Sequence, residues 1–239
     1  MLPRYDLRSI QELIPFNIAL LGQRRSGKSV ASAELAKHLM GHFDIMMSFL
    51  GTKNCNRELV GMINKEYDPR LNFVEFSPRI LEALIEQQER FIAEGRPREC
   101  LIIFDDVFAS NQKHVELLTQ LFIRGRHFRI SCITSAVSFA TISKNCRRAL
   151  DVLFLYSSVC MSDNKVLSSE YIHQNLSTAQ YALKHLSPYT ALVIQTKRNQ
   201  KLFQYRFNLG DDEMEVESDE DMMVLETEVD EDGAMLDGE

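Results

Sequence analysis

The sequence predicts an α/β fold of the P-loop NTPase class, with a mostly parallel sheet, helices on both faces and a C-terminal β-hairpin. Short apolar runs typical of buried strands alternate along the chain with segments of helical periodicity. A glycine-rich turn, Gly22-Gln-Arg-Arg-Ser-Gly-Lys-Ser29, joins the first apolar run to the first helical segment. The length of 239 residues is sufficient for one such domain with a substantial core.

The elements follow in order from local patterns. The predicted strands are short apolar runs at 16–21, 44–50, 71–76, 100–104, 130–135, 152–156, 190–196 and 201–207. The predicted helices have apolar residues at helical spacing and lie at 29–40, 80–92, 115–122 and 168–186. The last two strands flank a polar turn, Lys197-Arg-Asn-Gln200, and are predicted to form a hairpin.

Charge divides the chain into unequal parts. Residues 211–239 contain 15 acidic and no basic residues, whereas residues 1–210 contain 27 basic and 19 acidic residues, a formal charge of +8. We therefore predict an N-terminal extension at 1–13, an ATPase domain at 14–209 and an acidic tail at 210–239. The tail has too little apolar surface to offset its ordering entropy, and we expect it to be disordered.

Composition also restricts the compartment. The sequence has no apolar run long enough to span a membrane and no signal-peptide core at its start, so we expect the protein to stay in the compartment of its synthesis. Its five cysteines include no C-x-x-C pair. They are interpreted as core thiols in a reducing compartment, and no metal site is assigned to them.

The glycine-rich turn fits the phosphate-binding pattern G-x-x-x-x-G-K-[ST]. Glycines allow backbone N–H groups to surround a phosphate chain, and the following helix directs its positive end at the same phosphates. Lys28 is expected to reach the β- and γ-phosphates of ATP, and the Ser29 hydroxyl to bind Mg²⁺. The predicted nucleotide-binding residues are Gly22, Gln23, Arg24, Arg25, Ser26, Gly27, Lys28 and Ser29.

Paired carboxylates, Asp105 and Asp106, end the apolar run Leu101-Ile-Ile-Phe104. Burying two carboxylates is costly unless a metal ion or water is present. Asp105 is predicted to bind Mg²⁺, and Asp106 to orient or deprotonate the attacking water. The alternative is that the pair only caps the following turn.

The order of motifs resembles the viral genome-packaging ATPases of the FtsK–HerA superfamily, the poxvirus-type enzymes of large DNA viruses and virophages. The resemblance covers about residues 14–207. Besides the phosphate loop and Phe104-Asp-Asp106, it depends on Leu121-Phe-Ile-Arg-Gly-Arg-His-Phe-Arg-Ile-Ser131 and Asn145-Cys-Arg-Arg-Ala-Leu-Asp151.

The resemblance implies a RecA/FtsK-like homo-oligomeric ring, hexameric or pentameric, that uses ATP and Mg²⁺ to move double-stranded DNA into a preformed capsid. It implies a viral capsid portal or vertex as partner, and action in the host cell cytoplasm, a virus factory or the virion. It also implies Asp106 as the catalytic acid and an arginine from the neighbouring subunit.

Arg126 is our choice for that arginine, with Arg147 or Arg148 in reserve. Arg126 follows a predicted helix and precedes a predicted strand, and we expect it at the ligand-binding edge of the sheet. A helix end at the opposite edge is the alternative, and a basic helix end that complements the dipole is the structural explanation.

Three points stay open at the sequence level. The family often carries a polar sensor, commonly Gln, after the strand that ends near Thr134, and here Thr134 or Ser135 takes that place. A P-loop kinase of a nucleotide or small molecule is the alternative enzyme. A regulatory nucleotide-binding module is the alternative outside catalysis.

Overall fold

A computed structural model of the chain describes residues 2–51, 56–107, 112–157, 161–172, 176–196 and 201–207. Within these ranges, the strands are β1 (Asn17–Leu21), β2 (Ile45–Leu50), β3 (Asn72–Phe73), β4 (Cys100–Asp105), β5 (Ile130–Ala136), β6 (Val152–Leu155), β7 (Thr190–Gln195) and β8 (Leu202–Arg206).

The described strands form one sheet in the order β3-β2-β4-β5-β1-β6-β7-β8. The strands from β3 to β6 pair in parallel, and β7 and β8 add an antiparallel hairpin at one edge. The predicted α/β fold with its C-terminal hairpin is therefore confirmed. Strands β1, β4 and β5 are parallel, so the loops that follow them lie together at the C-terminal ends of the strands.

The described helices are α1 (Lys28–Leu39), α2 (Arg57–Glu66), α3 (Pro78–Ala93), α4 (Gln112–Arg124), α5 (Lys144–Arg148), α6 (Met161–Val166) and α7 (Leu176–Lys184). Short 3₁₀ segments lie at Leu7–Leu13, Met40–His42, Pro69–Leu71, Gly125–Phe128 and Phe139–Thr141, and a π-helical turn lies at Leu167–Tyr171.

Two apolar clusters cover the two faces of the sheet. One contains the buried side chains of α1, α2 and the Leu7–Leu13 segment, and the other contains those of α3, α4 and α7. Strand β4 contributes to both, because Leu101 and Ile103 belong to the α1 cluster while Ile102 and Phe104 belong to the α4 cluster. Alternation along the strand therefore decides which side chains can face the phosphate loop.

The predicted strand at 71–76 is shorter in the structure. Only Asn72 and Phe73 form β3, which among the described strands pairs with β2 alone. The chain then turns into α3, which has Pro78 in its first turn, and a proline favours the start of a helix. Phe76 nevertheless packs edge-on against Phe49, with ring centroids 5.3 Å apart. The apolar pattern therefore recorded the packing of the half-buried Phe73 and Phe76 against Phe49 rather than a longer strand.

The single helix predicted at 168–186 is wrong. The π-helical turn ends before Ile172, which is non-helical and buried, and α7 begins only at Leu176. Helix α2 was not predicted, although Asn56 at its start accepts a hydrogen bond from the Leu59 N–H. Helix α5, capped by the Ser143 side chain, was missed because it has only five residues.

The predicted domain limits remain predictions. Residues near the N-terminus pack onto the sheet, since the Tyr5 N–H donates to the Gln204 carbonyl at 2.8 Å and Ile10 is fully buried. The acidic tail and its predicted disorder lie outside the described residues. Within the described part, no helix is both long and apolar enough to cross a membrane. Cys100, Cys132 and Cys146 are buried free thiols, whereas Cys55 and Cys160 lie outside the described residues.

Candidate functional site

The phosphate loop connects the end of β1 to the start of α1, as predicted. A Cβ atom on Gly22 would lie 2.7 Å from the Ser26 Oγ and 2.8 Å from the Tyr156 Cβ, so only glycine fits there. Gly27, directly before α1, has a φ of 95°, a left-handed conformation that glycine adopts without strain. Both glycines of the motif are therefore required by the local geometry.

The Lys28 side chain bonds to the backbone of the phosphate loop. Its Nζ donates to the carbonyl oxygens of Gly22 and Gln23, both at 2.8 Å, and the residue is 7% exposed. Burial lowers the pKa of Lys28, and the negative charges of Asp106 and Asp105 partly oppose that effect. A phosphate chain in the loop would offer this ammonium a stronger partner than the two carbonyls.

The remaining loop residues fit a polyanion. The Ser26 hydroxyl is buried and has no hydrogen-bond partner among the described residues. Gln23, Arg24 and Arg25 are exposed, and the positive charge of Arg24 acts on Lys28. An orphaned hydroxyl beside two arginines and a lysine suits the triphosphate of ATP, with which the loop backbone would also bond.

Asp105 and Asp106 differ in environment. Asp105 ends β4 on the α1 face and is 5% exposed, whereas Asp106 is exposed and has a φ of 53°. Burial raises the pKa of Asp105, and a hydrogen bond from Ser135 and the charge of Lys28 act in the opposite direction. A divalent cation at Asp105 would stabilise its charged form. The hard oxygens of Asp105 and Ser29 fit Mg²⁺, which would stabilise charge on the phosphates.

Ser135 forms a hydrogen bond with each of the two acidic residues. Its Oγ donates to the Asp105 Oδ1 and accepts a hydrogen bond from the Asp106 N–H at 3.2 Å. It can do so because β5 lies beside β4 in parallel register, with Ser135 opposite Asp105. Thr134 lies on the other face by alternation, and its buried hydroxyl has no partner among the described residues. Of the two sensor candidates, only Ser135 contacts the acids.

Gly51 allows β2 to approach the same turn. Its N–H donates to the Asp105 carbonyl at 2.9 Å. A Cβ there would lie 3.1 Å from the Asp105 carbonyl oxygen and 3.2 Å from that of Asp106. Gly51 was not among the predicted site residues, although a glycine directly after a strand is a signal of close backbone approach.

Comparison with known families decides the assignment. A family profile described as Poxvirus A32 protein matches residues 3–231. The chain belongs to the poxvirus A32 protein family. The predicted family and the assignment as an ATPase are confirmed. The match also extends beyond the predicted 14–207 in both directions and includes most of the acidic tail.

Solved structures share the fold. The chain is similar to the genome-packaging NTPase B204 of Sulfolobus turreted icosahedral virus 2 in complex with AMPPCP, at 15% identity and a TM-score of 0.61 over 81% of this chain and 98% of that chain. It is similar to B204, the DNA-packaging ATPase of Sulfolobus turreted icosahedral virus, at 16% identity and a TM-score of 0.60 over 82% and 99% of the two chains.

A secretion ATPase has the same fold. The cytoplasmic domain of the type VII secretion ATPase EccC of Thermomonospora curvata matches at 11% identity and a TM-score of 0.57, over 82% of this chain and 24% of that chain. A search of curated proteins gave no match.

In this A32-family chain, Arg126 lies at the edge of the sheet opposite the phosphate loop. It belongs to the 3₁₀ segment directly before β5 and shares a cavity of about 240 Å³ with Asn17 at the start of β1 and Asp151 before β6. The expected position at the ligand-binding edge is therefore wrong. Helix α4 starts at that edge and runs back across the sheet, so its end lies at the N-terminal ends of the strands.

Arg147, a reserve choice, is held within the subunit. Its guanidinium forms a bidentate pair with Glu170 at 2.9 Å and donates to the carbonyls of Phe139 and Ile142. The two side chains are 13% and 16% exposed, and the pairing raises the pKa of Arg147 and lowers that of Glu170. This contact network contradicts Arg147 as an intersubunit arginine. Arg148 is exposed and stays in reserve.

Proposed function

We propose that this A32-family ATPase is a motor that uses ATP hydrolysis to move double-stranded DNA into a preformed viral capsid. The observation that carries the proposal is the family match together with a phosphate loop and a paired acid at one edge of the sheet. The packaging ATPases with the same fold support it by analogy.

Hydrolysis would use residues from the start of α1 and from the ends of the parallel strands β4 and β5. Lys28 and the loop backbone would bind and orient the phosphates, and Asp105 and Ser29 would hold Mg²⁺. Asp106, exposed at the end of β4, is placed to orient the attacking water or to accept its proton. Ser135 fixes the carboxylate of Asp105 and the backbone of Asp106 relative to each other.

Charge supports duplex DNA as the partner. Residues 1–210 carry a formal charge of +8, and translocation requires contacts to phosphates rather than to base edges. We further propose a homo-oligomeric ring, a hexamer or pentamer, at a capsid portal or vertex. The host cell cytoplasm or virus factory is the proposed place of action.

The experiment that tests the motor is ATP turnover of the full chain with and without duplex DNA, at two salt concentrations, alongside the mass of the oligomer. We expect duplex DNA to stimulate turnover, and we expect the higher salt concentration to reduce this stimulation. Lys28→Ala is the control and should hydrolyse no ATP at comparable thermal stability. Turnover that depends on an added small-molecule acceptor would instead identify a kinase, and ATP binding without turnover would identify a regulatory module.

A further inference from the structure

Tyr189 occupies an unusual position directly before β7. Its φ of 57° is left-handed, which is costly for a bulky residue and persists only where the surroundings fix it. The surroundings do fix it, because the Tyr189 carbonyl accepts a hydrogen bond from the Phe207 N–H at 3.0 Å and the Thr190 N–H donates to the Ser187 carbonyl at 3.1 Å. The turn therefore fixes the backbone from which the Tyr189 ring projects.

The Tyr189 ring lies against the phosphate loop. A Cβ built on Gly27 would lie 2.9 Å from the Tyr189 Cδ1 and 3.7 Å from its Cε1. The ring thus contacts the glycine directly before α1, although 162 positions separate the two residues in the sequence. Tyr189 is only half-buried, so part of its surface stays open beside the loop. The neighbouring Tyr156 is 2% exposed and offers no such surface.

Sheet order decides which part of a nucleotide would meet this ring. Asp105 on β4 lies two strands from β1 on one side, and Tyr189 precedes β7, two strands away on the other side. A triphosphate in the loop with its γ-phosphate towards Asp105 must direct its nucleoside away from Asp105. The edge formed by the end of β6 and the start of β7 is on that side.

We propose that the Tyr189 ring is the stacking surface for the base of the bound nucleoside triphosphate. This inference rests on the proposed function, since it requires the loop to bind such a nucleotide. Every base presents a π face, so stacking on Tyr189 contributes affinity without strong selectivity among purines. The phenol hydroxyl takes no part, and phenylalanine should replace tyrosine fully.

Tyr189→Trp gives a direct readout, because the chain contains no tryptophan and the new indole is the single one. Titration with Mg·ATP should change its fluorescence, whereas titration with Mg·tripolyphosphate, which has no base, should not. Tyr181→Trp is the matched control. Tyr181 lies on the preceding helix α7 and is 67% exposed, and its tryptophan variant should respond to neither ligand.

The affinities of a second variant for ATP and tripolyphosphate distinguish stacking on the base from structural support of the phosphate loop. Tyr189→Leu should weaken ATP binding about 5- to 100-fold and leave tripolyphosphate binding unchanged, which also shows an intact fold. Equal losses for both ligands would mean that Tyr189 supports the loop, and unchanged ATP affinity would remove any contact with the base. Wild-type protein that binds neither ligand would overturn the proposed function itself. The two failures are therefore distinguishable.

Discussion

Ser135 donates a hydrogen bond to the buried carboxylate of Asp105 across the β4–β5 pair. Its hydroxyl also accepts a hydrogen bond from the Asp106 N–H, so one side chain positions both acids of the site. Thr134, one residue earlier in the same strand, faces the opposite side of the sheet and contacts neither acid.

Ser135→Ala should weaken the use of Mg²⁺. Hydrogen bonds to charged groups contribute about 1.5–3 kcal/mol, so the Mg²⁺ concentration for half-maximal turnover should rise about 10- to 100-fold. Steady-state ATPase assays across Mg²⁺ concentrations measure it. Thr134→Val is the matched control and should leave turnover unchanged, because the Thr134 hydroxyl has no hydrogen-bond partner within the described part of the chain. Equal effects of both substitutions would contradict the role of Ser135.

Asp106→Asn should keep ATP binding and lose turnover. A general base contributes about 10²–10⁴-fold to the rate, and the amide cannot accept the proton of the attacking water. Asparagine tolerates the left-handed conformation at this position, so the turn after β4 should be preserved. Single-turnover hydrolysis and equilibrium ATP binding measure the two effects separately. Hydrolysis at the wild-type rate would exclude Asp106 as the base.

Arg126 should act on a neighbouring subunit. The five residues of β1 separate the edge that carries Arg126 from the phosphate loop, roughly 17 Å of strand, so it cannot reach its own γ-phosphate. An arginine supplied in trans contributes about 10³–10⁵ in rate. Arg126→Ala and Lys28→Ala should each be inactive alone, and mixed rings should recover activity.

Recovery is expected because some interfaces in a mixed ring pair an intact loop with an intact arginine. ATPase assays on rings of verified mixed composition measure it, with unmixed rings of each variant as controls. Mixed rings that stay inactive would exclude Arg126 as the arginine supplied in trans. Arg148 would then be tested in the same design.

Glu170→Gln should destabilise the fold without touching the nucleotide site. It leaves the guanidinium of Arg147 without its charged partner in a largely buried position, at a cost of about 3 kcal/mol. Chemical denaturation at neutral pH measures this difference.

The cost should depend on pH. The pKa of Glu170 is lowered in the folded state by its hydrogen bonds from Arg147, so its stabilisation is present above the ordinary pKa of glutamate. It is lost as the pH falls through the lowered value. The difference between wild type and Glu170→Gln should therefore shrink at acidic pH, and a constant difference would show that the ion pair does not contribute.

The sequence by itself determined the local features of this protein. Apolar runs predicted most strands of the sheet, and the G-x-x-x-x-G-K-S pattern identified the loop whose glycines have no room for a side chain. The apolar run Leu101-Ile-Ile-Phe104 predicted the buried strand that ends at Asp105. These features depend on residues close together in the chain, and local patterns record local geometry.

Only the tertiary structure decided the rest. Whether Arg126 lies at the nucleotide edge depends on the direction in which α4 crosses the sheet, and no spacing within the helix encodes that. The sequence gives no sign that Arg147 is paired, and only the packing of the chain brings Glu170 against it. Tyr189 meets Gly27 because β7 joins the sheet two strands from β1. Such contacts join distant parts of the chain, and the packing of the whole core fixes them.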